Sequence, residues 1–221
     1  MSRIVVFGAG GRAGRAVTAE ARARGHQVTA VVRDPGRHPG LSAEGVSVVA
    51  GDVTAAAPMA DLVRGHDAVV HAVSPFSGPE QGFASLDPDF FGKAADALTS
   101  GLTAAGVARL VVVGLFANLR DADGRLIMDD PAAFPAEIRP FAVAHTVGLE
   151  RLRAYAGGVD WLMVTPPAAL HGDGPRTGRY QVGGEIAPPA TARLSYADLA
   201  VAIIDEIESA RHHRRRVSVF G

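Results

Sequence analysis

Residues 3–24, RIVVFGAGGRAGRAVTAEARAR, decide the fold. RIVVF (3–7) is a short β-branched apolar run that predicts a strand, and RAGRAVTAEARAR (12–24) predicts a helix ended by Gly25. Between them lies Gly8-Ala9-Gly10-Gly11-Arg12-Ala13-Gly14, which reads as GxGxxA through Gly8, Gly10 and Ala13, or as GxxGxxG through Gly8, Gly11 and Gly14. Backbone without Cβ lets a diphosphate approach, and the start of a helix offers free N–H groups and a favourable dipole. A strand, this loop, a helix and a second strand at the right spacing predict a dinucleotide-binding unit. No lysine follows the glycines, so the loop is not that of a nucleoside-triphosphate hydrolase.

The pattern continues outward. QVTAVV (27–32), VSVVA (46–50), DAVVHAV (67–73), RLVVVG (109–114), VDWLMV (159–164) and RVSVF (216–220) predict further strands. Helices are expected over 87–105, where Phe91, Ala95, Leu98 and Leu102 share a face, over about 136–156, and over 195–208, with Ser195 as N-cap and Asp198 three residues on. Strands that are apolar throughout, alternating with helices, imply a sheet covered on both faces: an α/β, doubly wound, mostly parallel Rossmann sheet. One domain is expected over 1–221, with a small C-terminal substrate-side region at 165–194. Segments 115–135 and 165–194 lack a period and follow strands, where this architecture builds its ligand site.

Composition narrows the chemistry. The chain has 221 residues, 48% hydrophobic and 20% charged, enough for a full core. Cysteine is absent, which excludes disulfides, thiolate metal sites and cysteine nucleophiles. The net charge of −1 calls for no polyanionic partner, and RHHRRR (211–216) reads as a solvated turn before the last strand rather than a nucleic-acid contact. IVVF breaks at Gly8, too short for a signal sequence, and no stretch approaches a membrane span. A cytoplasmic protein without nucleic-acid or membrane partners is expected, as a monomer or a homodimer. His212 and His213, being adjacent, point apart, and no metal site is expected.

The end of the second strand bears on the cofactor. An acid there suits the ribose hydroxyls of NAD, and a base suits the 2′-phosphate of NADP. The chain offers Val32-Arg33-Asp34, with Arg12 in the loop and Arg37 beyond, which favours NADP(H) while leaving NAD possible. Asp52 and Val53, after the third strand, are expected near the adenine, although a turn aspartate explains Asp52 almost as well.

Lysine occurs once, as Lys93, and this scarcity removes a mechanism. The short-chain dehydrogenases use a tyrosine four residues before a lysine, and a serine after the fifth strand. Here Tyr155, Tyr180 and Tyr196 are followed four residues on by Val159, Gly184 and Ala200, and the fifth strand by Gly114-Leu115-Phe116-Ala117-Asn118. GAGGRAG (8–14), VVAGDVT (48–54), DAVVHAVSP (67–75), VDWLMVTPPA (159–168), RTGRYQVGGE (176–185) and SYADLAVAIIDEIE (195–208) together resemble the atypical branch of that superfamily. This branch comprises the NmrA-like and NADH-flavin-reductase-like proteins, including flavin reductases of the biliverdin-reductase-B type. The family usually has a threonine or other small residue in mid-loop, where this chain has Gly10.

The resemblance implies NAD(P)(H) binding and, in some members, hydride transfer to a flavin or quinone. That chemistry needs stacking and exclusion of water more than a tuned acid or base. Other members only sense the nucleotide, and an epimerase- or isomerase-like use of transient redox is a further alternative. On the cofactor side the candidates are Gly8, Gly10, Gly11, Arg12, Ala13, Gly14, Arg33, Asp52, Val53, Ala72, Val73, Ser74, Gly114 and Pro166. Phe76, Phe116, Arg179 and Tyr180 are candidates for the acceptor, the last two within a loop that reads either as a rim or as a surface hairpin. Ser74 and His145 are the candidate catalytic residues. His145 falls near where the missing lysine would stand, and an ordinary helix histidine is the plainer reading of it.

Overall fold

The computed structural model describes residues 1–75, 86–172 and 174–221. In chain order the elements are β1 (Arg3–Phe7), α1 (Arg12–Ala23), β2 (Gln27–Val32), β3 (Val46–Ala50), α2 (Ala56–Val63), β4 (Ala68–His71), α3 (Phe90–Ala105) and β5 (Arg109–Val113). They continue with α4 (Arg139–Ala154), β6 (Asp160–Thr165), β7 (Ala169–His171), β8 (Gln181–Gly183), β9 (Arg193–Ser195), α5 (Tyr196–Glu208) and β10 (Arg215–Phe220). The main sheet has the order β3-β2-β1-β4-β5-β6-β10-β8, parallel except for β8, and β7 pairs with β9 in a small second sheet. This is the Rossmann-like α/β fold, and its strand order reverses between β1 and β4.

Two-sided burial explains the unbroken apolar strands. Ile4 and Val6 of β1 join Val17 and Ala21 of α1 and Leu199, Ile203 and Ile204 of α5 on one face. Val5 and Phe7 join Met59 of α2, Leu98 and Leu102 of α3 and Leu149 and Leu152 of α4 on the other. The central strands are therefore covered by helices on both faces, and each fully buried Leu, Ile or Phe contributes roughly 1.5–3 kcal/mol.

Phe91, Ala95, Leu98 and Leu102 are all buried, and α3 ends on Gly106 in the left-handed region. Ser195 caps α5, its hydroxyl accepting from the Asp198 N–H at 3.0 Å. Two parts of the sequence expectation change. The helix α2 was not anticipated, nor were the three-residue strands β7, β8 and β9. The basic run also divides: Arg211, Arg214 and Arg215 are exposed, but Arg216 is buried, donating to the Asn118 carbonyl at 2.8 Å and pairing with Glu185.

Candidate functional site

The glycine loop leaves β1 at the reversal point. Gly8 has φ +81°, and a β-carbon there would lie 2.6 Å from the Ala72 carbonyl oxygen and 2.8 Å from the Val73 nitrogen. The ends of β1 and β4 can close on each other only because position 8 has no side chain. Gly14 is required for a different contact, since a β-carbon there would stand 2.1 Å from the Gly8 carbonyl oxygen. Gly11 precedes α1 with no side chain capping the helix and no acid in its first turn. An uncapped helix start over a backbone that lacks β-carbons is a cradle shaped for a diphosphate.

Arg33 and Arg37 are exposed beside this cradle, and among the described residues neither has an acidic partner within 4.0 Å. Asp34 is already engaged, its carboxylate accepting from the Gly36 N–H at 3.0 Å to start a short turn at Pro35–Arg37. Asp52 is likewise committed to its own loop, accepting from the Thr54 N–H and hydroxyl at 2.8 Å each. Val53 is buried in the core. Ala72 and Val73 lie half-buried beside Gly8, Ser74 is exposed just beyond them, and Phe76 lies outside the described residues.

The ends of β5 and β6 form the other wall. Gly114 lies against the Thr165 hydroxyl, Phe116 is half-buried in a turn at Phe116–Asn118, and Pro166 and Pro167 are buried. This end has hydrocarbon and backbone surface, and no tyrosine–lysine pair stands over it.

Two expectations acquire different surroundings. His145 faces inward from α4, its ring 3.7 Å from that of Phe91 and 5.0 Å from that of Phe141. It lines a small cavity with His71, Leu98, Leu110 and Met163. Burial, and after it the neighbouring His71, push its pKa down to about 3. At neutral pH it is an uncharged core histidine rather than a poised proton donor. His71, pushed down to about 4 by burial, accepts the Val73 N–H at 3.3 Å and so steadies the chain beside Gly8.

The Arg176–Tyr180 loop is not a free rim. Arg176 makes a bidentate pair with Glu20 of α1 at 2.7 Å, which with Arg24 holds that carboxyl below its usual range. The Thr177 and Gly178 N–H groups donate to Asp198 at 2.9 and 2.8 Å. Tyr180 donates its hydroxyl to Asp205 at 2.6 Å, and burial followed by this bond raises its pKa. These contacts strap the loop across α1 and α5. Arg179 is exposed on the strap.

Among the described residues no helix is long and apolar enough to cross a membrane, and no cluster of three or more potential metal ligands occurs.

The model of the NAD(P)H-binding protein family matches residues 8–210, which span the glycine loop, both core layers and α5. The chain belongs to this NAD(P)H-binding family. Within it the chain falls in the atypical, NmrA-like branch of the short-chain dehydrogenases. It is 32% identical to the uncharacterised protein YwnB of Bacillus subtilis (strain 168), over 98% of this chain and 97% of that one. It is 29% identical to a candidate NADH-flavin reductase from Streptococcus pneumoniae TIGR4, with a TM-score of 0.82 over 100% of this chain and 99% of that one. It is 30% identical to a candidate epimerase from Bacteroides thetaiotaomicron, with a TM-score of 0.84 over 99% and 96% of the two chains.

Proposed function

We propose that this NAD(P)H-binding protein is an NADPH-dependent reductase that passes hydride to a flat oxidised acceptor, a flavin or a quinone. The carrying observation is the contrast between the two ends of the site. The cradle end is built for a phosphorylated nucleotide, with Gly8, Gly14, the uncapped start of α1, and Arg33 and Arg37, which have no acidic partner among the described residues. The other end offers Gly114, Phe116, Pro166 and Pro167, which exclude water and present no strong acid or base.

Gly8, Gly10, Gly11, Ala13 and Gly14, with the first N–H groups of α1, would hold the diphosphate, and Arg33 with Arg12 and Arg37 the 2′-phosphate. Ala72, Val73, Ser74, Gly114 and Pro166 would line the ribose and nicotinamide. When bound, the reduced nicotinamide supplies the hydride. Residues at the ends of β4, β5 and β6 would orient the ring and keep water off the face used by an acceptor. Ser74, exposed just past β4, would be a group for moving a proton there, and the half-buried Phe116 would offer aromatic surface to a stacked acceptor. The whole-length likeness to the pneumococcal protein supports a flavin acceptor, and the arginines turn the nucleotide preference toward NADPH. We place the protein in the cytoplasm, as one domain with its acceptor side formed by 165–194.

The candidate epimerase gives a second reading. Epimerisation needs a base and an acid at the reacting carbon, and the absence of a tyrosine–lysine pair weighs against it. The test is NADPH consumption by the purified protein with FMN, riboflavin and a quinone series. Acceptor-dependent oxidation is the expected result. Tight NADPH binding with no oxidation by any acceptor would replace the reductase with a nucleotide sensor.

A further inference from the structure

The glycine loop holds a side chain that none of the preceding assignments uses. The turn after β2 returns His38 over the loop, where its ring packs on Gly10. A β-carbon at position 10 would stand 2.6 Å from the ring's Cε1 and Nε2 and 3.0 Å from Cδ2. Gly10 lacks the positive φ that makes position 8 a glycine. Its missing side chain is thus explained by the ring it accommodates.

Arg15, in the first turns of α1, locks the arrangement. Its Nε donates to the Gly10 carbonyl at 2.9 Å, and its Nη2 reaches the Nδ1 of His38 at 3.4 Å. Arginine only donates, so this contact assigns Nδ1 as acceptor and leaves the proton on Nε2, the atom lying against Gly10. The turn that carries Arg37 thus also brings a donor, His38, onto the glycine loop, with Arg33 just past the end of β2. The one carboxylate in this stretch, Asp34, is engaged by the Gly36 N–H.

In this architecture the adenosine ribose lies between the glycine loop and the end of the second strand. A ribose diol favours a carboxylate acceptor there, whereas a phosphate dianion favours convergent donors. We propose that His38, held by Arg15 and made possible by Gly10, is a specificity-determining residue that grips the 2′-phosphate of the nucleotide. This rests on the NADPH reading above and adds to it a residue pair, Gly10 and His38, that must act together.

The experiment uses 2′,5′-ADP and 5′-ADP, which differ by the 2′-phosphate and lack the nicotinamide, in calorimetric titrations of the whole protein. Wild type should favour 2′,5′-ADP. His38→Ala should weaken 2′,5′-ADP about tenfold and leave 5′-ADP unchanged. His38→Gln, which keeps an N–H, should recover part of the loss. Gly10→Ala also alters the diphosphate cradle and so affects both probes, but by displacing the ring it should lower the 2′,5′-ADP-to-5′-ADP preference as His38→Ala does, and the double variant should lower that preference no further than His38→Ala.

Equal weakening of both probes by His38→Ala, or of neither, overturns the assignment, as does a double variant whose losses of 2′,5′-ADP preference add. If His38→Ala does not fold, Gly10→Ala in the folded protein decides the question by the same ratio. A wild type that does not prefer 2′,5′-ADP overturns the NADPH reading itself, and the role of His38 with it. Retention of that preference in His38→Ala overturns only the role of His38.

Discussion

The hydroxyl of Thr165, the last residue of β6, occupies the space into which a side chain on Gly114, just past β5, would project: a β-carbon there would lie 2.3 Å from its Oγ1. Thr165 is fully buried, and its hydroxyl has no hydrogen-bond partner among the described residues. The short-chain dehydrogenases place a serine after their fifth strand. In this chain Gly114 follows β5, and the neighbouring strand's Thr165 takes the space that any β-carbon at position 114 would need.

The first prediction follows from that contact. Gly114→Ala forces a β-carbon against Thr165 Oγ1 and to within 2.9 Å of Met163 Cγ, with little room to yield in a sheet interior. Overpacking of this kind costs about 1–3 kcal/mol. Thr165→Ala should relieve most of it, so the double variant should be more stable than the sum of the singles implies. Urea denaturation midpoints of the four proteins check this, and strict additivity would show that the two residues do not compete for space.

Arg33 and Arg37 yield a second prediction. Arg33→Ala should weaken NADPH by about 10–100-fold, the range for losing one or two charge-assisted hydrogen bonds to phosphate, and should leave NADH affinity within about twofold. Arg37→Ala should act in the same sense and less strongly, because it sits on the turn rather than at the strand end. Fluorescence titration with both nucleotides measures each effect. An Arg33→Ala protein with an unchanged NADPH-to-NADH ratio would remove the 2′-phosphate from that position.

The core strands, the glycine loop, α1, α3 and α5 were legible because each carries its own local signature. The helix α2 was not, because only Met59 and Val63 of its residues are buried, a single pair four residues apart. The three-residue strands β7, β8 and β9 are too short to show alternation. The glycine loop with its flanking strand and helix lies within residues 3–24, one contiguous segment. The strapping of the 176–180 loop depends on partners distant in sequence: Arg176 meets Glu20 across 156 residues, and Tyr180 meets Asp205 across 25. The surroundings of His145 depend on which face of α4 turns toward Phe91, and packing alone decides that.

The strap over α1 and α5 should behave as one anchored unit. Asp198 accepts from two backbone N–H groups and from the Thr177 hydroxyl, the last at 2.8 Å. Asp198→Ala leaves these donors without their acceptor and should cost about 2–4 kcal/mol, with Asp198→Asn milder. Hydrogen exchange and proteolysis near residues 174–180 should speed up in the variant while the amides of β1 and β5 stay protected. Uniform acceleration across the sheet would mean that Asp198 supports the whole fold rather than the strap.

The paired core histidines determine how stability responds to mild acid. His71 and His145 have pKa values of about 4 and about 3 when folded, chiefly through burial, against 6.5 for the free side chain. As pH falls below about 6.5 the unfolded chain takes up protons at both sites and the folded chain does not, so stability must fall as pH falls. The loss is absent at pH 7.5 and grows by about 1.4 kcal/mol per pH unit for each histidine, to roughly 4 kcal/mol for the pair at pH 5. Glu20 works in a lower window: its carboxyl, depressed by Arg176 and Arg24, stabilises the fold above 4.5 and loses that effect only as pH drops through its folded value. Between pH 7.5 and 5 the histidines therefore dominate. His145→Leu removes one of them at similar volume, so the decline in urea midpoint over that range should be about half that of wild type, with the larger relative gain at pH 5. An unchanged decline in the variant would show that His145 is solvated and titrates normally in the folded protein, and would restore it as a candidate proton donor.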